Sequence, residues 1–205
     1  MITIFRSQNF YFNIFMIDAV LIHLRDSLNQ YFKNLHGFDE HTVVISNIVD
    51  QNGASWLEVE NKIVISLLSI GEEPSMKNNS SRVGAFDGSG FQSKNSILYL
   101  NMHVMFCVNF RNKKYLEGLN FLSHIISFYH RNRLIESRSI PGFSKKMQKI
   151  SMELCTFSYD NMSHIWSSIG AKLMPSSIYK ISLIPIDDSP MTGYTPAIKS
   201  SGEIK

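Results

Sequence analysis

Leu98-Tyr-Leu-Asn-Met-His-Val-Met-Phe-Cys-Val-Asn-Phe110 is the stretch that decides the fold. Every even-numbered residue from 98 to 110 is apolar, and in an extended chain these residues share one face. The other face includes Asn101, His103 and Asn109, so it is partly polar. Alternation with a period of two over this length predicts a long strand with one buried face.

A helix is predicted directly after this strand. Its apolar residues recur at steps of four and three, which places them on one side of a helix: Tyr115, Leu119, Leu122, Ile126 and Tyr129. The segment from Ile97 to Asn132 therefore predicts a strand with a helix packed against its sheet.

The remaining pattern predicts two further helices and four further strands. The helices cover 17–34 and 160–169, with Asp160 as the N-cap of the second and Gly170 after its last turn. The strands cover 42–49, 61–70, 149–157 and 178–186. Short turns between successive strands favour antiparallel pairing, so we expect an α+β fold with a single mainly antiparallel sheet flanked by helices.

The chain of 205 residues is long enough for one domain with a sizeable core. We assign that domain to residues 16–186 and interpret 1–15 as an upstream extension of the reading frame before Met16. Residues 75–96 are rich in Asn, Ser and Gly and predict an exposed loop. Residues 187–205 contain two prolines without periodicity and predict an extended C-terminal arm.

Charge is unevenly distributed along the chain. Residues 39–73 hold seven acidic residues and one Lys, net −6, whereas residues 111–149 hold nine basic and two acidic residues, net +7. One interpretation is two solvated faces. The other is a subunit whose two sides complement each other in a head-to-tail ring, with Lys145 and Lys146 on the basic side.

The sequence contains no recognisable catalytic or metal-binding motif. Its seven histidines lack metal-site spacing, and its two cysteines form no disulfide framework. The basic stretch 131–149 carries a single aromatic residue, Phe143, which does not favour nucleic-acid binding. No apolar run reaches the length of a membrane span. Two function classes remain: a non-catalytic assembly subunit, or a small α+β enzyme with an unrecognised site, such as a hydrolase that uses Cys107 or His103.

Several segments together resemble a known family, the N-terminal domain of the cap (tail terminator) proteins of contractile injection systems, typified by the Photorhabdus virulence cassette. The resemblance spans residues 16–186. The segments that carry it are the helix Met16–Phe32, Asn61–Leu68 with Glu72-Glu73, Leu98–Phe106, Tyr115–Ser123 and Ile165–Lys180. The last is the most specific, because Trp166, Gly170, Pro175 and Tyr179-Lys180 stand in order at the family's spacing.

The resemblance implies a structural protein without catalysis or cofactor. Family members form a hexameric ring that ends the inner tube and holds the last sheath ring, so the implied partners are further copies of the chain, the tube and the sheath. The particle would be assembled in the cytoplasm and then be released or attached to a membrane. An alternative is an adaptor beside a separate principal cap, because longer members carry a second C-terminal domain. Our candidate partner-interface residues are Trp166, Lys172, Pro175, Tyr179, Lys180, Lys145, Lys146 and Tyr194.

Overall fold

A computed structural model describes residues 8–36, 42–50, 53, 57–73, 82–84, 90–93, 99–140, 147–185 and 193–196. The helices are α1 (Gln8–His36), α2 (Tyr115–Arg131) and α3 (Tyr159–Ile169). The strands are β1 (Val43–Ile45), β2 (Lys62–Glu72), β3 (Arg82–Gly84), β4 (Gly90–Ser93), β5 (Leu100–Asn109), β6 (Leu134–Glu136), β7 (Met147–Leu154), β8 (Ser176–Pro185) and β9 (Gly193–Pro196).

Six of these strands form a central sheet in the order β1-β2-β5-β8-β7-β6. Its neighbouring strands are antiparallel except β1 and β2, which are parallel. The expectation of an α+β fold with a mainly antiparallel sheet is confirmed. The parallel pair was not predicted, because short turns were expected between successive strands. Instead, a 3₁₀ turn at Leu57–Val59 lies between the two strands and returns the chain to the end of the sheet where β1 begins.

A second, smaller sheet lies in segments that were expected to be a loop and an arm. Strand β4 pairs with β3 on one side and with β9 on the other, both antiparallel. Gln92 from the loop is opposite Tyr194 from the arm. The predicted loop and the predicted arm are therefore joined by strand pairing within one chain, which sequence periodicity did not indicate.

The first face of the central sheet carries the larger core. Met102, Val104, Phe106 and Val108 of β5 are at most 2% exposed, as the alternation predicted, and they pack in one cluster with residues of α1 and α2. Helix α1 begins at Gln8, so it continues through Met16 rather than starting there.

Of the stripe predicted for helix α2, Tyr129 is buried as expected, but the rest of the buried face lies one residue earlier in the chain. Its buried residues are Gly118, Phe121, Ile125 and Tyr129, whereas Tyr115 and Ile126 are 47% and 37% exposed. The reason is a close approach at Gly118, where a Cβ atom would lie 2.9 Å from Phe110 Cβ. The small residue lets the helix contact the end of β5, and this contact sets the helix rotation.

Helix α3 lies on the opposite face and has well-formed ends. The prediction of Gly170 as the terminating residue is confirmed by its left-handed conformation, with φ of 75°. The predicted N-cap Asp160 is wrong, because Ser158 precedes the helix and its hydroxyl accepts a hydrogen bond from Asn161 N at 3.3 Å. Asp160 instead lies in the first turn.

Candidate assembly surface

The second face of the central sheet is half covered and half open. Near the C-terminal end of β5, Met105 and Cys107 are fully buried beneath Trp166 of α3. Toward the N-terminal end of β5, His103 is half-buried and Asn101 belongs to a polar network. The sequence indicated a partly polar second face, and the structure divides that face into an apolar half and a polar half.

The polar half is held together by a hydrogen-bonded network across three strands. Glu73 Oε2 accepts hydrogen bonds from Lys180 Nζ at 2.9 Å and from Asn101 Nδ2 at 2.5 Å. Ser182 Oγ donates to Asn101 Oδ1 at 2.7 Å. The Glu73 and Lys180 side chains are 19% and 30% exposed, so this ion pair is partly shielded from solvent. Glu73 and Tyr99 also pair through their backbones at 2.9 Å, so the network lies at the base of the 74–98 segment.

A groove of about 730 Å³ lies between α3, residues 47–50 and strands β2 and β5. Its lining is mixed, with Leu68, Ile165 and Ile169 among the apolar residues and His103 and His164 among the polar ones.

Ser69 Oγ and His103 Nδ1 lie 3.1 Å apart at the edge of this groove. In the described part of the chain no carboxylate is hydrogen-bonded to the His103 ring, so the third member of a hydrolytic triad is not among the described contacts of His103. Cys107, the other nucleophile considered, is fully buried, and burial raises its pKa to about 12. Its thiol is therefore protonated near neutral pH.

Among the described residues, no cluster of three or more His, Cys, Asp or Glu side chains has the arrangement of a metal site. The described helices likewise include none that is long and apolar enough to cross a membrane.

The candidate interface residues that the structure describes differ in how far a partner could reach them. Trp166 and Tyr179 are each 3% exposed and belong to the two apolar cores, which leaves little of either side chain for a partner to contact. The Tyr179 ring packs against the rings of Phe106 and Tyr129, with centroids 5.6 and 5.4 Å away. Trp166 therefore packs in the core on the second face of the sheet.

The other candidates differ in their accessibility. Lys172 is exposed, Lys180 is paired with Glu73, and the Pro175 carbonyl accepts a hydrogen bond from Val108 N at 3.0 Å. Tyr194 lies in β9. Lys145 and Lys146 lie outside the described residues, so their place at an interface stays a prediction.

Sheet order separates the acidic and basic parts of the sequence. Strands β1 and β2 form one side of the sheet together with the exposed residues Glu58 and Glu60. Strands β7 and β6 form the other side, which exposes Arg131, Arg133, Arg138 and Lys149. Arg111, Lys113 and Lys114 of the basic stretch instead follow β5, beside the turn that carries Glu58 and Glu60. Parts of the two charge stretches therefore lie on opposite sides, which is the condition for a subunit with complementary sides.

The architecture and these surfaces can be compared with known proteins. The family model of the Pvc16 N-terminal domain matches residues 19–200, which is most of the chain. The chain belongs to this family. The suspected relationship to caps of contractile injection systems is thus confirmed at the level of the family. A search of curated proteins gave no match.

Two solved structures are similar in fold. One is a cryo-EM structure of the sheath/tube terminator of PVC, an extracellular contractile injection system, in its extended state; it is 14% identical, with a TM-score of 0.49 over 92% of this chain and 65% of that chain. The other is the anti-feeding prophage cap, a tube-terminating cap; it is 12% identical, with a TM-score of 0.50 over 93% of this chain and 59% of that chain. The chain thus spans about two thirds or less of the length of either protein.

Proposed function

We propose that this chain is a structural cap subunit that ends the inner tube of a contractile injection particle. The observation that carries the proposal is the family match, which extends over residues 19–200 and includes all the strands of the central sheet. Similarity of fold to a tube-terminating cap agrees with it. In this proposal the chain acts by binding other proteins rather than by catalysis.

The subunits would form a closed ring, which we expect to be a hexamer. A head-to-tail ring needs two different, complementary surfaces on each subunit. The acidic side around β1 and β2 and the basic side around β7 and β6 lie at opposite edges of one sheet, which supports this arrangement. Such a ring would be released with the particle or remain with it at a membrane.

Contact with the tube and the sheath is assigned to the small sheet of β3, β4 and β9. Because β4 pairs with β9, the loop and the arm are held side by side. The Glu73–Lys180 ion pair lies at the base of the same segment and would fix its direction relative to the central sheet. We therefore expect the loop and the arm to contact the same end of the particle, rather than two separate partners.

Electron microscopy of particles from a strain that lacks the gene tests the proposal. A terminator controls where the tube stops, so its loss should give particles of abnormal and variable length, and the full chain should restore uniform length. Particles of normal, uniform length in the deletion strain would show that the chain is not a terminator.

The contact between Ser69 and His103 calls for a matched control against a hydrolase function. Ser69→Ala removes the hydroxyl from an exposed position and should leave particle length unchanged. Hydrolysis of an activated ester such as p-nitrophenyl acetate should be equally slow for both proteins. Ester hydrolysis that is fast in the natural chain and lost in Ser69→Ala would favour the enzyme alternative.

A further inference from the structure

The two edge strands of the central sheet are treated differently. At β1, the Asn29 side chain of α1 bonds both backbone groups of Val43: Val43 N donates to Oδ1 at 2.9 Å, and Nδ2 donates to the Val43 carbonyl at 3.0 Å. Asn29 is 9% exposed. A side chain of the same chain therefore occupies the position where an incoming strand would pair with Val43.

Strand β6 at the opposite edge presents its backbone outward. Its register places Leu134 opposite Ser151, Ile135 opposite Ile150 and Glu136 opposite Lys149. Met152 N donates to the Arg133 carbonyl at 2.8 Å, so Arg133 and Met152 form a hydrogen-bonded pair. Because hydrogen-bonded pairs alternate along an antiparallel ladder, Ile135 bonds to β7. The N–H and C=O groups of Leu134 and Glu136 therefore point away from the sheet.

The exposed side chains around β6 carry an excess of positive charge, which favours the binding of carboxylates. Arg131, Arg133, Arg138 and Lys149 are exposed here, against the two carboxylates of Glu136 and Glu153, for a net charge of +2. Arg138 is the ion-pair partner of Glu136, and Lys149 is opposite Glu136 in the strand register. Arg131 donates to the Tyr31 hydroxyl and Arg133 contacts the His130 ring, so neither guanidinium is described in contact with a carboxylate. Leu134 is 59% exposed in the middle of this charge. A cavity of about 400 Å³ between β6, α1 and α2 lies alongside and could take a side chain of an added strand.

We propose that β6 is a strand-addition site, where a second copy of this chain approaches with its acidic side and pairs its backbone with Leu134 and Glu136. The partner is a second copy because the exposed carboxylates of Glu58 and Glu60, on the opposite side of the same sheet, complement the basic edge. A heterologous contact of this kind repeats from copy to copy and closes into a ring when the rotation permits. The inference rests on the proposed ring and names the edge through which it forms.

Leu134→Pro tests the backbone part of the inference in the full chain. Proline removes the outward N–H of residue 134 and no N–H that bonds to β7, and it is tolerated in edge strands. The matched control is Leu134→Ala, which loses a similar amount of exposed apolar surface but keeps the N–H. We expect Leu134→Pro to weaken self-association in sedimentation velocity by roughly tenfold, and Leu134→Ala by much less.

Hydrogen exchange gives a second measurement that does not depend on either variant. In the assembled natural chain, the amide hydrogens of Leu134 and Glu136 should become protected, while the Ile135 amide should be protected in both states. If the Ile135 amide is still protected in the Leu134→Pro variant, β6 remains paired with β7 in that variant.

Charge reversal tests the electrostatic part of the inference. The double variant Arg133→Glu, Lys149→Glu should not associate with itself, and mixing it with a Glu58→Lys, Glu60→Lys chain should restore association.

The outcomes separate this inference from the proposed function. A chain that stays monomeric at every concentration reached, or assemblies in which Leu134 and Glu136 exchange as fast as in the monomer, would overturn strand addition at β6. Normal association of Leu134→Pro would do the same. In each of these cases abnormal particle length in the deletion strain would still support a terminator, whereas normal length would refute the terminator alone.

Discussion

At the scale of single residues, the structural requirement for glycine is clearest at position 118. A Cβ atom at this position would lie closest to Phe110 Cβ, which is fixed to the backbone and cannot move aside easily. Gly118→Ala should therefore destabilise the fold by about 1–2 kcal/mol, even though alanine improves helix propensity by about 1 kcal/mol. Urea unfolding measures the difference in the free energy of unfolding.

Gly71→Ala is the control, because among the described residues no heavy atom beyond the chain neighbours lies within 4 Å of a Cβ at Gly71. Its free energy of unfolding should stay close to that of the natural chain. Equal stability of the Gly118 and Gly71 variants would contradict the role of Gly118 in setting the rotation of α2.

The tyrosines of the main core give the protein a predictable response to alkaline pH. Burial raises the pKa of Tyr179 to about 12 and raises that of Tyr129 well above its usual value. In the unfolded chain both titrate near pH 10, so between about pH 10 and 12 the folded state holds more protons. Stability is then complete below about pH 10 and falls as pH rises toward 12.

Tyr179→Phe isolates this effect, since it keeps the ring and removes the titrating hydroxyl. The free energy of unfolding, measured in urea at each pH, should fall less steeply for the variant, by at most about 1.4 kcal/mol per pH unit. A variant that loses stability as steeply as the natural chain would show that Tyr179 does not titrate in this window.

At the scale of elements, sequence periodicity predicted strands better than helix faces. β5 was predictable because seven apolar residues at a period of two leave only one way to bury them. The stripe on α2 was wrong by one residue because a close approach to Phe110 decides it, and a glycine carries no hydrophobic signal in the sequence. The network of Glu73, Asn101 and Ser182 joins three distant strands, so no local pattern could reveal it.

Helix α3 offers a direct test of the corrected cap. Ser158→Ala removes the oxygen that accepts from Asn161 N and should destabilise the protein by about 1 kcal/mol. Asp160→Ala removes a carboxylate that is not the cap and loses a favourable charge in the first turn, which is worth about 0.3–1 kcal/mol. Thermal and urea unfolding should therefore rank Ser158→Ala as the less stable; the reverse order would restore Asp160 as the cap.

At the scale of the whole molecule, the order of strands turns a charge pattern into geometry. The acidic and basic stretches were readable in the sequence, but whether they share a face depends on pairings between residues far apart in the chain. The central sheet places Glu58 and Glu60 at one edge and Arg133, Arg138 and Lys149 at the other. The pairing of β4 with β9 was hidden for the same reason, since two short polar strands separated by about a hundred residues have no periodicity that links them.

Removing the arm should affect function without affecting the stability of the central sheet. Strand β9 belongs to the small sheet and not to the six-stranded one, so a chain ending at residue 186 should keep the central core. Its thermal unfolding midpoint should change little, whereas it should fail to restore particle length in the deletion strain. Tyr194→Pro combined with Thr195→Pro is a finer version, because the N–H groups of neighbouring strand residues point in opposite directions and one of the two prolines removes an N–H that faces β4, without removing the arm. If both forms restore uniform particle length, the pairing of arm and loop has no part in capping, and the contact with the tube and the sheath must lie on the polar half of the central sheet instead.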